Sequence, residues 1–376
     1  MQRYLDYNAT CPVLDESIQT LVEVSKNALG NPSSLHWAGR SSRKILDDAR
    51  DELAKYLHVE SGSVVFTSGG TEANNMAIHG WLSSQEPGKI VVSSIEHPSV
   101  LAPLKSWSEK AGWEVVYVRP EKSGVVDVDK FCSHIDANTR LVCLMMANNE
   151  TGAVQPVSEI AEYCRESGVA LLVDAVQALG KLPLDLGGLD VDFVSLSAHK
   201  IGGPKGVGAL VIKRGRKLDL FLQGGGQERK RRSGTENVPG VAGFASALGV
   251  LDFSACKRVR DGFESSLQAA LSDVVIYACE GARVDNTSMF SLPGLDGETL
   301  LMQLDLAGFA VASGSACSSG KRDASHVLLA MGVSNQQARS SLRVSFGPGH
   351  TAEDADALVD ALVNVRKRLK AMAGGG

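Results

Sequence analysis

Residues 170–210 read ALLVDAVQALGKLPLDLGGLDVDFVSLSAHKIGGPKGVGAL, and this stretch decides the fold. It holds two apolar runs, 170–173 and 193–196, and the start of a third at 209–212. Each run is short, β-branched and continuous rather than alternating, the pattern of strands covered on both faces. Working outwards, similar runs occur at 64–66, 90–92, 115–118 and 141–146. Helix-like segments lie between them, at 72–82, 100–111 and 157–167. Strand–helix alternation of this kind predicts an α/β fold with a mostly parallel sheet. In such sheets ligands sit beyond the carboxyl ends of the strands, so the residues just after each run are where chemistry belongs.

Past residue 250 the texture changes. A helical stretch near 257–271 leads to a short apolar run at 274–277, a glycine- and serine-rich region at 313–320, a strand-like 342–346 and a periodic helix at 352–369. The 376 residues suit two domains. We expect a large α/β domain over 14–250 and a smaller α+β domain formed by 1–13 with 251–376. Lys and Arg number 38 against 43 Asp and Glu, a net charge of −5, so no overall field draws nucleic acid or anionic membrane. The run ERKRR at 228–232 reads more simply as a solvated loop than as a nucleic-acid patch. No apolar run approaches the length that spans a bilayer, and MQRYLDYNATCP carries no secretory h-region. The seven cysteines, an odd and scattered set without CxxC spacing, fit neither a zinc site nor a disulfide framework. A soluble protein of a reducing compartment, the cytoplasm, is expected.

At the strand ends, nucleotide signatures fail first. Gly224 and Gly226 begin a G-x-G-x-x-G whose last position is Arg229, and no Gly-Lys pair is followed by Ser or Thr, which argues against dehydrogenase and P-loop chemistry. What stands there instead is TSGGTEANN (67–75), SSIEHPSV (93–100), MANNETG (146–152), VDAVQALG (173–180) and SLSAHKIGGPKGVGAL (195–210). Ser68-Gly69-Gly70-Thr71 follows a strand and opens a helix, as a phosphate cradle does. Asp174 ends one strand, where a buried carboxylate needs a cationic partner such as a pyridinium N–H. Lys200 ends the next, where an amine that loses its proton attacks carbonyls. Together they are the parts of a pyridoxal phosphate site.

These segments, with RRSGTEN (231–237), resemble the class V, fold type I pyridoxal phosphate enzymes. The opening YLDYNATCP, then NPSSLHWAGR and SGSACSSG, narrow the resemblance to cysteine desulfurases of the NifS/IscS type, over essentially the whole chain. The resemblance implies a transferase that converts L-cysteine to L-alanine, holding the sulfur as a persulfide on Cys317. It implies that Lys200 binds the cofactor covalently and that Asp174 pairs with its ring nitrogen. Gln177 and Asn148 would face the ring's 3′ oxygen, Asn148 also lying near the substrate, and His97 would stack on the ring and shuttle protons. Gly70, Thr71, Ser197 and His199 would hold the phosphate. Thr235 would reach the phosphate of a neighbouring subunit, implying a homodimer, and Arg343 would take the substrate carboxylate. The SGSACSSG form resembles the long-loop group that feeds an iron–sulfur scaffold protein or other sulfur acceptor, with Cys317 as a transient cluster ligand.

Residue by residue, blander roles stay open. His97 before Pro98 could cap a helix, Gln177 could be a surface amide, and Arg343 could form a domain-interface ion pair. Selenocysteine lyase shares the Lys and Asp, a transaminase would have no use for Cys317, and a non-catalytic sulfur carrier could keep the fold. Cys11 departs from the family's usual ATTP. It is either a tolerated small substitution or a second thiol able to accept the persulfide.

Overall fold

The computed structural model describes residues 2–213, 215–314 and 324–373, and in it the seven apolar runs form one sheet. Its spatial order is Val64–Thr67, Gly208–Ile212, Phe193–Ser197, Ala170–Asp174, Thr139–Met145, Lys89–Ser93 and Glu114–Val118. All are mutually parallel except Gly208–Ile212, which runs against both neighbours. The reason lies in the connection: segment 198–207 is shorter than the dozen or so residues a parallel crossover needs, so the chain returns antiparallel.

The continuous apolar runs have a simple cause. Successive side chains of a strand point to opposite faces, and here both faces are cores. Val142, Leu144, Leu171, Val173 and Val194 feed one; Leu141, Cys143, Ala170, Leu172 and Phe193 feed the other. Helices Trp37–Tyr56 and Val157–Ser167 contribute to the first core, and helices Gly70–Leu82 and Pro98–Ser108 to the second. The layers are therefore helix, sheet, helix.

A second, antiparallel sheet has the order Ala312–Ser313, Ser341–Ser345, Thr287–Ser291 and Val275–Tyr277. Its core is built on Phe263, Phe290, Phe346 and Leu358, from helices Cys256–Ala270 and Ala352–Ala373 and the strands between them. The N-terminal residues join this core rather than the first: Arg3–Tyr4 pairs in parallel with Phe309–Ala310, and Leu5 and Cys11 are buried in it. The chain then crosses to helix Asp15–Asn27, where Ser17 Oγ donates to the Gly243 carbonyl at 2.8 Å. The N-terminal turn, residues 6–11, thus lies where the two cores meet. No helix among the described residues is long and apolar enough to cross a membrane.

Candidate active site

A cavity of about 310 Å³ opens beyond the carboxyl ends of the parallel strands. It is lined by Asp174, Ser197, His199 and Lys200 from two adjacent strand ends, and by His97 and Gln177 from the loops that follow two strands. Gly70 and Thr71 border it from the start of helix Gly70–Leu82, and Arg343 from the small sheet. The fold therefore brings together nine of the residues singled out in the sequence.

Asp174 is 6% exposed and ends its strand. Its Oδ1 accepts the Val176 N–H at 3.0 Å and its Oδ2 accepts Asn74 Nδ2 at 2.8 Å. Asn74 also donates to Ser99 Oγ at 2.9 Å, which lies 2.8 Å from His97 Nδ1. His97 caps helix Pro98–Ser108, its Nδ1 accepting the Ser99 N–H at 3.1 Å. Nδ1 is thus an acceptor, which places the proton of the neutral imidazole on Nε2. Burial favours that neutral form; the Asp174 charge opposes it, while Lys200 and His326 reinforce it. Capping and cavity lining prove compatible: one nitrogen serves the helix and the other is left for chemistry.

Next to it, Glu96 is wholly buried. Burial pushes its carboxyl up to about 8, against the bonds from Ser93 Oγ (2.6 Å) and the Met145 N–H (2.7 Å), and the Asp174 charge adds to the rise. It is a neutral acid at pH 7, and its Oε2 has no hydrogen-bond partner among the described residues.

At the other end of the cavity, Gly70 must be glycine because a Cβ there would meet Val176 Cγ2 at 2.5 Å. Gly70, Thr71, Ser197 and His199 also line an adjoining hollow of about 340 Å³ with Ser68 and Lys205. A helix N-terminus, the hydroxyls of Ser68, Thr71 and Ser197 and a lysine make this end suited to an anion. His199 is held at about 4 by burial, with Lys200 and Lys205 adding to the effect, so it is neutral here. Its Nδ1 lies 3.2 Å from Thr10 Oγ1. Glu72, in the first turn, is tied down by Arg232 (2.8 Å) and accepts the Ser68 N–H (2.7 Å).

Lys200 Nζ donates to the carbonyls of Asn8 (2.5 Å) and Ala9 (2.8 Å). Arg343 Nη2 meets Asp6 Oδ1 at 2.6 Å and Nη1 donates to the Asn149 carbonyl at 2.9 Å. Its Nε is buried without a partner among the described residues. Arg343 is therefore ion-paired, but with Asp6 of its own small unit rather than across the domain interface, and it keeps N–H donors uncommitted beside the cavity. This donor set fits pyridoxal phosphate: a buried carboxylate for the ring N–H, an amine for the aldehyde, and an anion-accepting helix start for the phosphate.

Two sequence readings change, and a third narrows. Asn148 does not face the cavity. Its Oδ1 accepts the N–H groups of Glu150 and Thr151, both at 2.9 Å, and its Nδ2 donates to the Ile95 carbonyl at 3.0 Å. The side chain is consumed by the turn, and Asn149 lines the cavity instead. The ERKRR run is not a wholly solvated loop, because Glu228 is 3% exposed and paired with Arg50. Cys11 is 2% exposed, its Sγ donating to the Lys200 carbonyl at 2.9 Å, and burial pushes its thiol up. It packs under the lysine loop and does not line the cavity, which favours the tolerated substitution. Thr235 is exposed and lies with Ser68 and Arg232 outside the cavity. Cys317 lies outside the described residues; at the start of the next described stretch, Ser325 Oγ donates to the buried Glu150 carboxylate.

Sequence reasoning missed Asn8, Asn74 and Ser99. All three sit inside motifs quoted for the resemblance, beside residues with more obvious chemistry.

The aminotransferase class-V family model matches residues 3–358. Two curated relatives, both cysteine desulfurase IscS, are 38% identical to this chain. The protein from Dictyoglomus turgidum aligns over 98% of this chain and 96% of its own length. That from Methanosarcina thermophila aligns over 98% and 93%. Among solved structures, a NifS-like protein superposes with a TM-score of 0.91 at 33% identity, covering 98% of this chain and all of the other.

Proposed function

The chain belongs to the aminotransferase class-V family, on its cysteine desulfurase branch, and from that premise we propose how its residues divide the work. The enzyme depends on pyridoxal phosphate, takes L-cysteine as substrate, releases L-alanine and passes sulfur to an acceptor. The observation that carries the assignment of roles is the convergence of Lys200, Asp174 and the start of helix Gly70–Leu82 on one cavity.

Bound there, the cofactor supplies an electron sink for negative charge at the substrate's α-carbon. Lys200 would anchor it and, with its amine free, would take the substrate's α-proton. Asp174 would hold the proton on the ring nitrogen, and Gln177 would donate to the ring oxygen. Gly70, Thr71, Ser197 and His199 hold the phosphate, with Thr235 reaching that of the neighbouring subunit. Arg343 takes the substrate carboxylate, with Asn149 beside it in the position expected of Asn148. His97 moves protons at Nε2, the nitrogen its capping role leaves available.

Cys317 takes the sulfur. Its thiolate attacks the substrate sulfur, the S–S bond forms as the C–S bond breaks, and the electron pair returns to carbon, where a proton completes alanine. The persulfide then passes to an iron–sulfur scaffold protein, where Cys317 briefly ligates the nascent cluster. We read the large unit as 14–250 and the small one as 1–13 with 251–376, the latter supplying Arg343 and Cys317. A homodimer in the cytoplasm fits this reading. Leu35 and Trp37 are 89% and 70% exposed, as a subunit contact would explain, and the six described cysteines are free thiols.

The test is an absorbance spectrum of purified protein, then L-cysteine addition with alanine and sulfide assayed under reductant, for wild type and Cys317→Ala. A visible cofactor band, with both products made only by wild type, is expected. A band with equal turnover by Cys317→Ala would remove Cys317 from the chemistry.

A further inference from the structure

One buried cation borders the cavity without lining it. Lys181 is 9% exposed, and its Nζ donates to the amide oxygens of two cavity residues, Asn8 Oδ1 and Gln177 Oε1, each at 2.7 Å. An amide has one acceptor atom, so both oxygens must point at Lys181 and both nitrogens away from it. Asn8 Nδ2 accordingly donates to Thr287 Oγ1 at 2.8 Å and to the Asn149 carbonyl at 3.1 Å. Gln177 Nε2 donates to the Asn8 carbonyl at 2.9 Å, the same oxygen that accepts Lys200 Nζ. One N–H of Gln177 is thereby used, and the second remains for the cavity that Gln177 lines.

Other groups act on Lys181 from every side. Cys11 from the N-terminal turn and Cys256 from helix Cys256–Ala270 favour its charge, whereas Lys200 and Arg343 oppose it. The Phe253 ring lies 5.6 Å from Nζ. Burial, the largest influence, pushes the amine down to about 7. Charged or neutral, a primary amine keeps at least two N–H donors, enough for both amide oxygens, so the orientation survives that titration.

We propose that Lys181 is a positioning residue for the cofactor site, acting through Gln177: by holding the amide oxygens of Asn8 and Gln177, it obliges Gln177 to present a donor to the cavity. Without Lys181 only the Asn8 carbonyl still holds the Gln177 amide, and the amide can turn over to offer its oxygen, an acceptor facing the acceptor oxygen of the cofactor ring. The inference rests on the cofactor reading above. A donor at the ring oxygen stabilises its anionic form, so losing the donor raises the pH at which the bound cofactor's visible band titrates.

The experiment follows that band across a pH series in purified holoenzyme for wild type, Lys181→Met, Gln177→Met and the double variant. Lys181→Met is expected to raise the midpoint by about one pH unit, a tenfold change in proton affinity. Gln177→Met moves it the same way, and the double variant goes no further, because the two act through one contact. An unchanged midpoint in Lys181→Met overturns the proposal, as do strictly additive shifts, which would mean that Lys181 acts by its own charge. Either result leaves the cofactor reading intact. A wild type without any band removes the cofactor reading, and this inference with it. Should Lys181→Met not fold by circular dichroism, Lys181→Gln decides. It keeps a donor in the pocket but is too short to span both oxygens, and an unshifted midpoint overturns the proposal.

Discussion

Arg50 and Glu228, 178 residues apart, meet as a buried two-bond ion pair, Nη1 to Oε2 and Nη2 to Oε1, both at 2.7 Å. Glu228 Oε2 also accepts the Phe66 N–H at 2.9 Å, while Arg50 Nη1 donates to the Val64 carbonyl at 2.8 Å and its guanidinium covers the Phe66 ring. The pair thereby clamps strand Val64–Thr67, whose next residues are the Ser68–Thr71 cradle. It also holds a loop that opposes it. Glu228, Arg229 and Lys230 have φ of 46°, 58° and 63°, a left-handed run that costs about 1–2 kcal/mol per residue.

Removing one partner should therefore be costly. Arg50→Met leaves Glu228 buried and uncompensated, and a loss of about 3–5 kcal/mol is expected. Arg50→Met with Glu228→Leu should recover most of it, short of roughly 1 kcal/mol for the orphaned Phe66 N–H. Urea unfolding of wild type, both single variants and the double at one protein concentration completes the cycle. Additive losses would show that the pair is not coupled.

Glu96 predicts a pH dependence. Its carboxyl rises from 4.5 to about 8 in the fold, so the folded state holds the proton more tightly. Its contribution is fully present below pH 4.5 and is lost as pH climbs through about 8. Glu96→Gln mimics the neutral acid, keeping an oxygen for Ser93 and Met145. Between pH 5 and 7, wild type should lose on the order of 3 kcal/mol relative to that variant. The comparison isolates Glu96 from His97 and His199, whose lowered values act in the opposite direction. Parallel unfolding midpoints at the two pH values would refute it.

The sheet was legible because its strands serve two cores: Leu171 and Leu172 face opposite ways and both must be apolar. Asp174 and Lys200 were legible because strand ends are where α/β sheets bind ligands. What could not be read depends on contacts that spacing does not encode. Asn148 and Asn149 are identical neighbours, and only the turn, in which Asn148 Oδ1 captures two N–H groups, decides which faces the cavity. Glu228 looked solvated because its partner lies on a distant helix. Asn8, 1% exposed, shows its bonds to Lys181, Thr287 and Ser345 only once three remote segments are assembled.

The two readings of Cys11 separate by mass spectrometry after L-cysteine addition. A thiol packed against the Lys200 carbonyl, with its thiolate disfavoured by burial, should carry no persulfide. Cys11→Thr, whose hydroxyl can donate to the same carbonyl, should leave the persulfide distribution unchanged and stability within about 1 kcal/mol. Cys317→Ala should abolish persulfide on the chain. Persulfide on Cys11 in wild type or in Cys317→Ala would revive the second-acceptor reading.

Asp6 offers a sharper test of Arg343, because its two roles pull in opposite directions. Its carboxylate fixes the guanidinium through the 2.6 Å contact with Nη2, but its charge also competes with the substrate's carboxylate. Asp6→Ala removes the contact and should raise KM for L-cysteine about tenfold, the loss of one charge-assisted bond's worth of positioning. Asp6→Asn keeps an acceptor oxygen while deleting the charge, and should lower KM by about threefold as Arg343 turns its full field on the substrate. In both, kcat should stay within about a factor of two, because an interaction shared by ground and transition states changes KM alone. Steady-state kinetics over a range of L-cysteine concentrations distinguishes the signs. If both variants raise KM equally, Asp6 serves Arg343 by charge and not by geometry. If neither moves it, Asp6 does not position Arg343 for the substrate, and the Asn149 carbonyl suffices to hold the guanidinium.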